Sequence, residues 1–386
     1  MVSVAHSELP VAVIGAGPIG LAAAAELAGR EQRVVVFEQG DRPAAAVRSW
    51  GHVRLFSPWS ELTSPTAIAL LEQTGWTAPN RKRYPTGSDW IEGYLAPLAD
   101  ALGDRVRLNS RVVGVARLDR DLLVDSGREE QPFVLHIEAP DGSVERVPAR
   151  AVIDDSGTLD RPNPLGSEGY PVAGERVHAD RIHYGMPNPD VAGNPCVGKA
   201  IAVVGSGASA LTSLIALTSD AVYSPGSRVV WVLRRGVVGN SYGGGDLDEL
   251  PARGALGTRV RKAVEAGRIE IVTGFRTVAV DSAGAGRVAL VASDGRRVDE
   301  LDQIVCVTGF RPELSFLSEV RLDLDHPAPC RSAAGLPRHP DRKRPRPAGG
   351  RAAQRRRHGR RHPPRLVAGV RVGRARRRRH PARHGD

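Results

Sequence analysis

An α/β fold is predicted by three features of this 386-residue chain. Two short, continuously apolar segments are each followed by a Gly-rich turn and an Ala-rich helical stretch, a second apolar run follows each helix, and turn-punctuated strands lie between the two units. Short apolar runs of this kind fit parallel strands buried on both faces.

The first unit starts with the strand Val11-Ala12-Val13-Ile14, continues through a helix from Leu21 to Ala28, and closes with the strand Val34-Val35-Val36-Phe37. The second repeats this grammar with a strand at Ala200 to Val204, a helix over Ala210 to Leu217, and a strand at Val229 to Leu233. The pattern predicts two Rossmann-like dinucleotide-binding domains, with their sheets covered by helices. Between them, Arg111 to Val115, Phe133 to Ile137 and Val144 to Val147 read as antiparallel strands joined by turns such as Asp141-Gly142, and Asp294-Gly295 marks a similar turn later.

The charge is unevenly placed. The chain carries 54 Lys plus Arg, 43 Asp plus Glu and a net charge of +11. Residues 330 to 386 hold 20 of those bases and 2 of the acids, which leaves 34 and 41 and a net −7 for the first 329 residues. The predicted folded part is therefore acidic, which argues against a nucleic-acid binder. No apolar run approaches the roughly 18 residues a membrane helix needs, and Met1 to Pro10 lacks the basic start and apolar run of a secretory signal. Three cysteines, none in a paired motif, fit a reducing, cytoplasmic setting.

Gly15-Ala16-Gly17-Pro18-Ile19-Gly20 fits G-x-G-x-x-G in the strand-to-helix context the motif requires. Gly15 permits the turn, Gly17 lets backbone approach a pyrophosphate, and Gly20 lets the helix pack closely on its strand. Glu38 ends the next strand at the position of a carboxylate that accepts from ribose hydroxyls. Gly205-Ser206-Gly207-Ala208-Ser209-Ala210 repeats the pattern with Ala in third place. Its following strand ends not in an acid but in Arg234-Arg235, where a guanidinium can pair with a ribose 2′-phosphate, so NADPH is expected there and FAD at the first site. The residue pattern leaves open which arginine takes that role.

These residues resemble the flavin-containing monooxygenase class of two-dinucleotide-domain flavoproteins, over about residues 10 to 329. Asp155-Ser156-Gly157-Thr158 with Pro162 and Pro164 resembles the linker where such chains leave the FAD domain. Val305-Cys306-Val307-Thr308-Gly309-Phe310 resembles the Ala-Thr-Gly-aromatic stretch where they return, with Thr308 and Gly309 among the cofactor-binding positions. The resemblance implies that the second domain is inserted in the first, with 1–165 and 300–329 forming the FAD-binding domain and 166–299 the NADPH-binding domain. It also places Trp50-Gly51-His52 and Phe56-Ser57-Pro58-Trp59 near the flavin ring, although Phe56 and Trp59 read rather as core packing. Tyr242 to Gly245 either flanks the nicotinamide or simply connects elements.

The implied chemistry is hydride transfer from NADPH to FAD and oxygen transfer from O2 to a small soft nucleophile or a carbonyl, all carried by cofactor, so no catalytic side chain is named. The monooxygenase fingerprint is incomplete, with Gly174 and His178 correctly spaced but Val172 and Ile182 at the aromatic positions and Tyr184 two residues late. An NADPH-linked flavin oxidoreductase without oxygen transfer, or an inactive remnant, is the alternative. Cys196, Cys306 and Cys330 offer no paired thiols for disulfide chemistry, and no metal-ligand spacing occurs.

After Pro329 the composition shifts to Arg, Ala, Gly, Pro and His, as a GC-rich gene yields when read out of frame. Too little apolar surface remains there to offset chain entropy, so residues 330–386 are expected to be a disordered basic tail, aberrant in origin, without the strand that usually completes the FAD domain. The rival reading is an arm binding nucleic acid non-specifically through phosphates.

Overall fold

The computed structural model describes residues 6–189, 194–244, 248, 250–322 and 367–368. The chain opens with β1 (Val11–Ile14), α1 (Pro18–Gly29) and β2 (Val34–Phe37). Short helices follow, α2 (Ala45–Arg48), α3 (Trp59–Leu62), α4 (Pro65–Glu72), α5 (Gly87–Trp90) and α6 (Ala96–Leu102). Next come β3 (Val106–Arg107), the meander β4 (Arg111–Arg117), β5 (Phe133–Glu138) and β6 (Val144–Ala149), and then β7 (Ala151–Asp154).

The second unit is β8 (Ile182–Tyr184), β9 (Ala200–Val204), α7 (Ala208–Leu217), β10 (Arg228–Val232), α8 (Pro251–Glu265) and β11 (Glu270–Val272). The meander β12 (Thr277–Ser282), β13 (Val288–Ala292) and β14 (Arg297–Leu301) leads into β15 (Gln303–Cys306), and β16 (Val367–Ala368) is the last described element.

Two five-stranded sheets form, in the orders β16-β7-β1-β2-β3 and β11-β10-β9-β15-β8, and every pairing is parallel. Parallel sheets need both faces covered, and here each sheet has unlike covers. On the first, α1, α4 and α6 pack through Leu21, Ala24, Leu71, Leu98 and Leu102 on one side, while Val115, Phe133, Leu135 and Ile137 of the meander pack against Ala12, Ile14 and Phe37 on the other. The second sheet is covered alike by α7 and α8 and by β12 to β14. The expected helical cover is thus corrected: an antiparallel sheet takes one face of each unit, because its alternating strands present one apolar face.

The crossing segments run side by side. Pro162 pairs with Phe310, the Asn163 N–H donates to the Gly309 carbonyl at 2.9 Å, and the Arg311 N–H donates to the Arg161 carbonyl at 2.9 Å. Beyond them, Leu314, Phe316, Leu317 and Val320 return to the first unit's core, where Glu319 Oε2 accepts from the Leu122 N–H at 2.7 Å.

Val367–Ala368 pair in parallel with Ile153 and Asp154 on the edge of β7. The expectations of disorder and nucleic-acid binding for 330–386 otherwise fall on residues outside those described. No helix among the described residues is long and apolar enough to cross a membrane.

Candidate functional site

Both Gly-rich turns sit where a strand runs into a helix. Gly17 precedes α1 in extended backbone, Pro18 stands in the first turn, and no side chain from the N-cap closes the helix mouth. Four leading N–H groups of any helix lack internal partners, and they carry the positive end of its dipole. Gly15 has φ +100°, and a Cβ there would overlap the Asp155 carbonyl oxygen. A Cβ on Gly20 would overlap the Gly15 carbonyl oxygen. Both glycines are therefore needed for the tight approach of α1 to β1 and β7.

Glu38 is 8% exposed at the end of β2. Its Oε2 accepts from the Ala16 N–H at 2.8 Å and its Oε1 from the Gly40 N–H at 2.9 Å. The carboxylate is held at the loop, and each oxygen keeps a further acceptor site. Beside it opens a cleft of about 530 Å³ lined by Gln39, Asn109, Arg111, Glu138, Pro140 and Gly142.

One resident of the first site could not be foreseen from motif spacing. Asp155 Oδ2 accepts from the Gly20 N–H at 2.5 Å and stands 3.4 Å from where a Gly17 Cβ would be. Burial pushes its carboxyl up to about 6, against the lowering effect of the Gly20 N–H, with the charges of Asp154 and Glu38 adding to the rise.

The second cradle is more open. Gly207 also precedes its helix in extended backbone, α7 has no side-chain cap, and nothing lies within 4 Å of a Cβ placed on Gly207. Gly205 packs against the Val307 carbonyl oxygen, and its own carbonyl accepts from Trp231 Nε1 at 2.8 Å. Ser209 is half-buried in the first turn of α7. Arg234 and Arg235 are exposed just beyond β10, and Arg234 Nη1 donates to the Ser167 carbonyl at 3.2 Å. A dinucleotide thus fits both cradles: the second offers free amides and guanidinium groups, and the first offers Glu38 with one amide held by Asp155.

The other sequence-named residues divide. Thr308 Oγ1 donates to the Asn163 carbonyl at 2.9 Å, so the hydroxyl ties the crossing segments together, and Gly309 turns at φ +101°. Trp50 is half-buried against the first core, its ring 3.0 Å from a Gly87 Cβ position. Trp59 is core at 4% exposure, whereas Phe56 packs on the core of the second unit. In the Tyr242 loop, Tyr242 packs edge-on against Trp231 at 5.6 Å, and Gly245 lies outside the described residues. Gly174 has φ +75° against the Val280 carbonyl oxygen, and the His178 N–H donates to the Gly174 carbonyl at 3.0 Å, so this spacing is that of a local turn.

A buried carboxylate missed by the motifs organises this junction. Glu175 is 2% exposed, and it accepts from the Leu165 N–H at 3.0 Å, the Val172 N–H at 2.8 Å and the Tyr184 hydroxyl at 2.6 Å. Burial, and then the Glu175 bond, raise the Tyr184 phenol well above its usual range.

A family model described as pyridine nucleotide-disulphide oxidoreductase matches residues 12–328. The chain belongs to this family. As a pyridine nucleotide-disulphide oxidoreductase family member it is a flavoprotein oxidoreductase, in keeping with its two cradles. No curated protein sequence matches it.

Solved structures share the fold. Bacillithiol disulfide reductase from Bacillus cereus has a TM-score of 0.61 at 21% identity, covering 83% of each chain. The cadaverine monooxygenase of desferrioxamine biosynthesis from Erwinia amylovora, a structure with FAD bound, has a TM-score of 0.58 at 14% identity, covering 80% of each chain. Ornithine hydroxylase from Pseudomonas aeruginosa has a TM-score of 0.55 at 16% identity, covering 82% of this chain and 87% of its own.

The family's name includes a disulphide, but Cys196 and Cys306 are both buried and free. Burial pushes the Cys306 thiol up to about 11 and raises that of Cys196. A thiolate is the reactive form, so both thiols are suppressed at neutral pH. In a Cys330→Ser variant, native protein should take up no iodoacetamide at either cysteine while unfolded protein takes up two equivalents. Intact mass reads this, and a native adduct would reopen thiol chemistry. Among the described residues no cluster suited to a metal ion occurs.

Proposed function

We propose that the chain is an NADPH-dependent FAD oxidoreductase of the monooxygenase kind, acting on a small-molecule substrate with O2 in the cytoplasm. The observation that carries this reading is the contrast between two otherwise matching helix mouths, one with the carboxylate Glu38 held at its loop and the other flanked by the guanidinium groups of Arg234 and Arg235. Residues 1–165 and 300–329 would hold FAD and 166–299 NADPH.

When bound, the flavin supplies hydride acceptance from NADPH and electron transfer to O2, with one oxygen passing to a soft nucleophile or a carbonyl. The chain's own part is binding and exclusion. The free amides before Gly20 and Ala210 receive pyrophosphates, and Glu38 accepts from ribose hydroxyls. The cleft beside Gln39 and Asn109 receives the adenine end, and Trp50 walls one side of the ring. Thr308 and Gly309 hold the crossing strand against Asn163.

A second reading, a flavin reductase that transfers no oxygen, is favoured by Val172 and Ile182 at the fingerprint's aromatic positions and by the structural use of Gly174. One preparation separates the two. The purified full chain should absorb near 450 nm and oxidise NADPH faster when amines, sulfides or ketones are added, with oxygenated product formed. Flavin with turnover that yields only peroxide or reduced dye supports the second reading, and a colourless protein with no NADPH turnover overturns both.

A further inference from the structure

The first cradle contains its own anion. Asp155 sits at the end of β7, and its Oδ2 takes the Gly20 N–H, one of the amides a pyrophosphate needs at the mouth of α1. The two ligands are of one sign and compete for one donor. The acidic groups acting on Asp155 are Asp154 from its own strand and Glu38 from the end of β2, while α1 presents no acid in its first turn. Asp154 is engaged elsewhere, since its Oδ1 accepts from the Ser156 N–H at 2.9 Å, and Glu38 is fixed by Ala16 and Gly40. A pyrophosphate placed here adds negative charge beside a carboxylate that already feels those of Asp154 and Glu38.

Resting on the flavin assignment of this cradle, we propose that Asp155 is a proton-linked gate for the dinucleotide: its carboxylate releases Gly20 and takes up one proton as the pyrophosphate enters. The balance is simple. The carboxylate gains a proton from solvent, the Gly20 N–H passes from Asp155 to a phosphate oxygen, and the new carboxylic acid O–H donates to the phosphate instead of repelling it. No bond other than hydrogen bonds is made or broken, and no further reactant is required.

The sign of the pH dependence follows. The free protein's Asp155 titrates at about 6. The bound phosphate raises that value, so the complex holds one proton more than the free protein between the two values. Affinity is then flat below the free value and falls by about tenfold per pH unit above it, until the value in the complex is passed.

The test uses the full chain freed of flavin and titrated with FAD from pH 5.5 to 8.5, followed by quenching of flavin fluorescence. Its pyrophosphate does not itself titrate across that range. Calorimetry in buffers of different ionisation enthalpy counts protons independently of activity. The expected result is net proton uptake on binding above pH 6, with affinity falling as the pH rises, by at most about tenfold per unit. Asp155→Asn, which keeps the size and can still accept from Gly20, should bind FAD with little pH dependence and more tightly than the parent at pH 8. If the variant does not fold, as read by its thermal melt, proton uptake by the parent protein still decides. Affinity that is flat with pH, with no proton uptake, overturns the gate and leaves the flavin assignment standing. No FAD binding by either protein at any pH overturns both.

Discussion

Gly15→Ala should yield a protein that purifies without flavin, with the 450 nm absorbance per protein reduced at least tenfold. The left-handed φ of +100° at Gly15 costs an alanine about 1–3 kcal/mol. The new methyl overlaps the Asp155 carbonyl oxygen and lies 2.9 Å from its carbonyl carbon. Those are backbone atoms at the end of β7, so no rotamer relieves the clash, and displacing them adds another ~1–3 kcal/mol. Both displacements fall on the segment that carries Asp155 and the turn that carries Ala16 and Gly17, so cofactor affinity takes the loss along with stability. Gly207→Ala is the matched control, because nothing lies within 4 Å of the added methyl. It should fold and keep its flavin, losing affinity only for the pyridine nucleotide. Absorbance ratios and thermal melts of the two variants make the comparison, and a fully yellow Gly15→Ala protein would remove this loop from the flavin site.

The same two loops explain why so much of the fold was legible. Val11 to Ile14 and Ala200 to Val204 are apolar without a break because each strand has neighbours on both edges and layers on both faces, and that demand writes itself into local sequence. Glu38 was legible because a strand end fixes its distance from the turn. The meanders were legible as strands but not as covers, since alternation shows that one face is apolar and not what it meets. Asp155 was hidden for a different reason. It lies 135 residues from Gly20, and only the β1–β7 pairing, which sets Ile14 opposite Asp154, brings the two together. Glu175 was hidden likewise, its partners Leu165, Val172 and Tyr184 being gathered by a fold in the connecting segment. Gly174 and His178 belong to the fingerprint that the sequence matches only in part. At that spacing the structure has a left-handed glycine packed on β12 and a turn closing at residue 178. Phe56 divides the same way, an aromatic near the first cradle in sequence that spends its surface on the second core.

Removing the two guanidinium groups beyond β10 should change coenzyme choice more than it changes the protein. Arg234→Ala with Arg235→Ala is expected to raise KM for NADPH by about 10- to 100-fold while KM for NADH stays within about twofold, since hydrogen bonds to charged groups contribute about 1.5–3 kcal/mol. The two arginines should not contribute equally. Arg234 already spends one donor on the Ser167 carbonyl, whereas the Arg235 carbonyl accepts from the Gly274 N–H at 2.7 Å, which anchors the backbone from which its side chain projects. Arg235→Ala should therefore carry most of the NADPH loss. Arg234→Ala should loosen the Ser167 contact and leave both KM values within that same twofold. The ratio of kcat/KM for NADPH to that for NADH isolates the 2′-phosphate, because every other contact is common to the two coenzymes. Raising ionic strength should shrink that ratio in the parent protein and leave it unchanged in the double variant, since both groups are exposed and screened. A ratio that survives the double substitution would place the phosphate contact elsewhere and withdraw NADPH from the reading of this strand end.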